Sequence, residues 1–120
     1  MRILFIGDVV GKVGRYALSD VLPILREKEG IDFVICNGEN ITHGKGIIEK
    51  HYEFLCSLDI NAITLGNHYN SKKEISSFIN DANRLIRPVN IIGDFPGEGS
   101  RVFKIKGKTI RVSNVLCSAF

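Results

Sequence analysis

No stretch of this sequence stays apolar for long: its longest runs, Ile3 to Ile6 and Phe33 to Cys36, fall far short of the roughly 20 residues a membrane-crossing helix needs. A membrane span is excluded on that ground. Met1 to Asp8 carries one basic residue and a very short apolar stretch ahead of an acid, which does not resemble a secretory signal, so the expected location is the cytoplasm. Cysteine is scarce. Cys36, Cys56 and Cys117 are odd in number, far apart and outside any C-x-x-C pattern, which excludes a disulfide framework and fits a reducing compartment. All three are expected in the core, where free cysteine behaves as a small hydrophobe. Charge of one sign is also in short supply: 16 Lys and Arg against 13 Asp and Glu leave +3, which suits an anionic substrate without demanding nucleic acid.

What is present is the composition of one soluble globular domain: 120 residues, 44% hydrophobic and 24% charged. A chain of this length can bury roughly 65% of its extended surface, enough for a core without staples. The apolar run Arg2 to Ile6, closed by Gly7, reads as a buried strand. Ala17, Leu18, Val21, Leu22 and Leu25 then recur at helical spacing between Gly14 and Gly30, with Gly30 as the stop and Pro23 as a potential kink. Asp32 to Cys36 is a second strand, followed by a helix marked by Ile47, Ile48, Tyr52, Leu55 and Cys56. Asn61 to Leu65 is a third strand, and a third helix is expected to start at Ser71, capped there with Glu74 three residues on.

Three strand-loop-helix repeats imply parallel strands with right-handed crossovers, hence an α/β fold. Beyond Arg87-Pro88 a loop rich in Gly and Pro leads to Val102 to Ile105, then Gly107-Lys108, then Thr109 to Leu116, which reads as a β-hairpin. The apolar stretch Leu116 to Phe120, with no helix after it, leads to the expectation that residues 1–120 are one domain incomplete at its C-terminus. An unpaired sheet edge would then favour a homo-oligomer.

Each predicted parallel strand ends in apolar residues, a Gly and a polar group: Ile6-Gly7-Asp8, Asn37-Gly38-Glu39-Asn40 and Leu65-Gly66-Asn67-His68. Ligands of open α/β sheets bind outside the carboxyl ends of the strands, which is where all three groups fall. The separations of 31 residues from Asp8 to Glu39 and 28 from Glu39 to Asn67 match one βαβ unit each, so the strand ends can be neighbours. Carboxylates, amides and an imidazole form a mixed oxygen and nitrogen set suited to Mn, Fe or Zn ions. Glu39 could bridge two such ions around a phosphate, with His68 placed to act on the leaving oxygen.

These residues carry a resemblance. Gly7-Asp8-Val9-Val10-Gly11, Asn37-Gly38-Glu39-Asn40, His43-Gly44-Lys45-Gly46, Gly66-Asn67-His68 with Lys72-Lys73-Glu74-Ile75, and Arg87-Pro88-Val89-Asn90 resemble, in order and spacing, the YmdB-like branch of the calcineurin-like metallophosphoesterases. The resemblance implies a metallophosphoesterase-type layered sheet with flanking helices, here as a βαβαβα half followed by the hairpin. It implies hydrolysis of cyclic nucleotides or related phosphodiesters at a dinuclear centre of Fe or Mn, with Zn or Mg as alternatives. By motif match, Asp8, Glu39, Asn40 and Asn67 would be metal ligands, Glu39 shared, and His68 the catalytic proton donor. His43, in a Gly-rich loop, is a candidate substrate contact, whereas His51 is expected at the surface. The family is considerably longer, and its remaining ligands are histidines beyond the matched region. The competing reading is a non-catalytic nucleotide- or metal-binding regulatory module, with Gly7, Gly11 and Gly14 as a phosphate loop at the first helix; that glycine spacing matches neither the dinucleotide fingerprint nor a Walker loop.

Overall fold

The computed structural model describes residues 1–118. Four strands, β1 (Ile3–Ile6), β2 (Phe33–Asn37), β3 (Ala62–Thr64) and β4 (Leu85–Ile86), form a parallel sheet in sequential order. The helices α1 (Gly11–Glu29), α2 (Glu49–Ser57) and α3 (Ile75–Phe78) make the crossovers, and a 3₁₀ turn (Ile79–Asp81) extends α3. A separate antiparallel hairpin, β5 (Ser100–Ile105) and β6 (Lys108–Ser113), completes the order. Register follows from alternation along buried strands. Val34, Cys36, Ile63, Leu65 and Leu85 face the helices, while Phe33, Ala62 and Ile86 face Phe103, Ile110 and Val112 of the hairpin. The result is three layers, with the sheet in the middle.

Local chemistry explains most boundaries. Gly30 ends α1 in the left-handed conformation, and Pro23 is accommodated within a single helix. The C-terminal carbonyls of α2, which has no basic residue in its last turn, are met from elsewhere: Arg26 donates to Leu58 and Asp59, and Arg84 to Cys56 and Ile60. The hairpin turn is Lys106-Gly107, one residue earlier than expected; both have positive φ, 49° and 74°, the twist a two-residue hairpin turn requires. Lys106 also pairs with Asp32 ahead of β2, and that hydrogen bond, with a second from the Arg2 amide, holds the Asp32 carboxyl below its ordinary range.

Four expectations are corrected. Helix α3 begins at Ile75, not Ser71, because the Glu74 carboxylate accepts the Glu49 amide at 2.8 Å and so serves the start of α2 instead of its own turn. Leu85–Ile86 forms a fourth parallel strand, too short to leave a periodic signal. Only Cys36 of the three cysteines is buried, where burial pushes its thiol up to about 12; Cys56 is half-buried and Cys117 is exposed. His51 is buried, as described below. Of the expected apolar terminus, Ala119 and Phe120 lie outside the described residues. Among the described residues no helix is long and apolar enough to cross a membrane.

The two sheet edges differ. At β4 the edge is closed by its own chain: Arg101 donates to the carbonyls of Leu85 and Ala82, and the Arg87 amide bonds Glu98. At β1 no other strand pairs with the outer side among the described residues, and Ile3 and Phe5 are exposed on the hairpin side. Asn114 ties the layers together. Its buried side-chain amide donates to Leu65 O at 2.6 Å and Ile86 O at 3.1 Å, linking the ends of β3 and β4 to the end of β6. Asn114→Ala should therefore destabilise the fold by about 1–3 kcal/mol in urea unfolding, whereas Val115→Ala, at an exposed position, should stay within about 0.5 kcal/mol of the parent.

Candidate functional site

Parallel alignment brings the carboxyl ends of β1, β2 and β3 to one rim, and the polar residues that follow them gather there. Asp8 sits just beyond β1 with φ 45°, a left-handed conformation that few non-glycine residues adopt and that turns the chain sharply toward α1. The turn is held by backbone bonds from Val9 N to Asn37 O and from Gly11 N to Asn40 O. Beyond β2, Asn37 clamps Glu39 from two sides: its side-chain amide donates to Glu39 Oε1 at 3.1 Å, and its Oδ1 accepts the Glu39 amide at 3.3 Å. Beyond β3, the His68 amide donates to Glu39 Oε2 at 3.3 Å. The Glu39 carboxylate lies directly over Gly66, where any Cβ would collide with both of its oxygens.

A second chain of contacts crosses the rim. Asn40 Nδ2 donates to Asp8 Oδ1 at 2.6 Å, which leaves Asn40 Oδ1 to accept from His68 Nδ1, also at 2.6 Å. The ring therefore carries its proton on Nδ1, and Glu39 Oε2 stands 3.9 Å from the same nitrogen. Asp8, Glu39, Asn40 and His68 thus form one connected cluster. Asn67 is exposed and shares with Glu39 a cleft of about 390 Å³. Among the described residues no three His, Cys, Asp or Glu side chains converge closely enough to hold an ion. The connected set is instead two carboxylates, one amide and one imidazole, with the Asn67 amide in the adjoining cleft, a mixed oxygen and nitrogen donor set that suits a divalent cation of the Mn or Fe type.

His43 stands apart from this cluster. It is exposed, at φ 53°, and its ring meets His51 edge-on at 6.3 Å. His51 is the residue the sequence pattern misplaces: Thr42 Oγ1 accepts the Ile48 amide at 3.1 Å and is hydrogen-bonded to His51 Nδ1 at 2.6 Å. The pair anchors the Gly-rich loop between β2 and α2. A Thr nine residues before a His on a helical face leaves no mark in apolar periodicity, so the sequence hid it. Asn37 stands in the strand-end motif Asn37-Gly38-Glu39-Asn40, but its role in holding Glu39 leaves no signal in the sequence, and in the structure it is the last residue of β2.

The model of the YmdB-like protein family matches residues 4–120. The chain belongs to the YmdB-like family. A curated relative, the 2′,3′-cyclic-nucleotide 2′-phosphodiesterase of Bacillus subtilis (strain 168), is 48% identical over 96% of this chain and 44% of its own length. A solved structure of a novel phosphatase from Mycoplasma pneumoniae is 41% identical with TM-score 0.89, covering 98% of this chain and 43% of that one. A second, of a hypothetical protein from Thermus thermophilus, is 34% identical with TM-score 0.87 over 96% of this chain and 44% of that one. The chain thus spans less than half the length of the relatives it matches. Membership of the YmdB-like family agrees with the layered α/β fold described above.

Two outcomes follow from the geometry. Gly66→Ala should displace the Glu39 carboxylate or cost about 1–3 kcal/mol by overpacking, visible as a lower urea midpoint and shifted Glu39 and His68 amide resonances; an unchanged spectrum would contradict the contact. Burial, then Arg15, His43 and Lys50, lowers the His51 pKa below its ordinary 6.5. Neutral His51 therefore contributes stability that is present above pH 6.5 and lost as pH falls through the lowered folded value. Melting temperature should drop between pH 7.5 and pH 5 by more in the parent than in His51→Gln.

Proposed function

We propose that this chain is the N-terminal part of a phosphodiesterase that hydrolyses cyclic nucleotides or related phosphodiesters with the help of bound metal ions. The carrying observation is the connected cluster of Asp8, Asn40, His68 and Glu39 at the carboxyl ends of three parallel strands, with Asn67 in the adjoining cleft. The family and the relative named for cyclic-nucleotide cleavage support the same reading. In this reading Asp8, Glu39, Asn40 and Asn67 would hold one or two ions, Fe or Mn before Zn or Mg, with Glu39 as the shared ligand. When bound, such ions polarise the phosphoryl group and neutralise charge that develops on it.

The chain's own residues do the rest. Asn37, the His68 amide and the bare backbone of Gly66 hold the Glu39 carboxylate in one orientation, so it needs no reorganisation to meet a cation. An amide oxygen has two lone pairs; Asn40 Oδ1 gives one to His68 and keeps one for an ion. With Nδ1–H engaged by Asn40, Nε2 is the nitrogen left for proton transfer; it would first take up a proton, making the ring an imidazolium, and then give that proton to the departing oxygen. His43 enters only as a substrate contact at the edge of the site.

The reading also holds that residues 1–120 are one unit of a larger domain and that further ligands come from additional chain. That chain would pack on the open β1 edge and on the outer face of α1, where Val13 is 82% and Ile24 68% exposed. Without it, self-association across the same edge is the expected substitute. The alternative reading is a non-catalytic nucleotide- or metal-binding regulatory module.

With Mn²⁺ and either bis-p-nitrophenyl phosphate or a 2′,3′-cyclic nucleotide, the 120 residues alone should show weak metal binding and little turnover. Extended by a sequence that supplies the remainder, the protein should be active. There His68→Ala should lose on the order of 10²–10⁴ in rate and Glu39→Gln more. Equal metal content and activity in the extended protein with and without Glu39→Gln would sink the bridging role, and robust turnover by the 120 residues would refute the claim that they need more chain.

A further inference from the structure

A second cavity, of about 510 Å³, adjoins the Glu39–Asn67 cleft, and the two share a wall made by Leu116 and Cys117. They also share a turn: the Tyr69 amide bonds Gly66 O, so Asn67 lines one cavity and Tyr69 the other. The two differ in chemistry. The first presents Asn37, Glu39 and Asn67, whereas the second is lined by Tyr69, Ile91 and Ile92, with Asn90 turned to its own wall. Asn90 and Leu116 exchange two hydrogen bonds, at 2.7 and 2.8 Å, which lock the wall in place. Phe95 meets Tyr69 edge-on at 4.9 Å and holds the phenol ring at the groove. Ile92 is 100% exposed, an apolar side chain beside a polar cleft that packs against nothing among the described residues.

We propose that this groove is the subsite for the nucleobase of the substrate, with the sugar phosphate lying in the Glu39–Asn67 cleft. The assignment rests on the phosphodiesterase reading above and adds to it where the non-reacting part of the ester goes. Continuity with the cleft selects the occupant. A group that enters with a phosphodiester must be joined to it through a short sugar, must be flat enough to lie on Tyr69, and must prefer apolar walls; a nucleobase meets all three conditions. The groove offers no charged side chain, so it would retain any base rather than select one.

The test titrates the ¹⁵N-labelled chain, with Mg²⁺ present, against 3′-AMP, ribose 5-phosphate and adenosine. The expected result is that 3′-AMP binds on the order of tenfold tighter than ribose 5-phosphate and shifts the amides of Tyr69, Ile91 and Ile92 together with those of Asn67 and His68. Ile92→Asp, at a fully exposed position that cannot unfold the chain by lost packing, should abolish that preference, as should Tyr69→Ser, while Tyr69→Phe retains it. Equal affinity for the two phosphates, with Asn67 and His68 still shifted, overturns the base subsite and leaves the phosphodiesterase reading standing. Adenosine shifting the groove while neither phosphate moves Asn67 or His68 overturns both, because the groove would then serve no phosphoryl site.

Discussion

The absence of a side chain at residue 66 is the constraint on which the site depends. Glu39 leaves β2 and reaches across to the end of β3, and its carboxylate occupies the space where a Cβ of residue 66 would stand. Parallel pairing of Cys36 with Ile63 and of Asn37 with Thr64 brings the two strand ends level, so the reach is short. Once seated, the carboxylate is bonded from Asn37 on its own strand and from the His68 amide on the next. The strands therefore position the acid, and the acid in turn fixes the loop that carries Asn67 and His68. Asn40 repeats the arrangement one strand over by joining Asp8 to the His68 ring.

The same sheet is finished on one side and open on the other. Arg101, Glu98 and Asn114 consume the polar groups at the β4 edge, which keeps that edge from acting as a template. At β1 the apolar groups of Ile3 and Phe5 and the outer face of α1 remain in water. An α1 that is apolar on two faces is the pattern of a helix buried between layers, and it accords with relatives more than twice this length. The open edge lies next to Asp8, so whatever covers it also borders the cluster.

Alternation and helical spacing made the α/β class, three of the four parallel strands and the hairpin legible before any coordinates. Site residues were legible for the same reason: a Gly followed by a polar group after each strand is a local pattern, and parallel topology sends such patterns to one rim. Contacts made between segments distant in sequence were not legible. Glu74 reads as the capping partner of its own helix, yet it bonds Glu49. His51 reads as a polar residue beside an apolar stripe, yet Thr42 gives it a buried partner. Leu85–Ile86 is too short to show a period and becomes a strand only because β3 offers it a free edge.

By itself, then, the sequence determined which residues are apolar at which period, where the chain must turn, and which chemical groups follow each strand, because these are properties of neighbours along the chain. Tertiary structure decided which nitrogen of His68 carries the proton, why residue 66 must be glycine, which helix Glu74 serves, and which sheet edge stays open. The first three turn on contacts within a few ångströms between residues about 25 to 30 positions apart and the last on contacts 11 to 28 apart, and such contacts exist only once the register of the sheet is set.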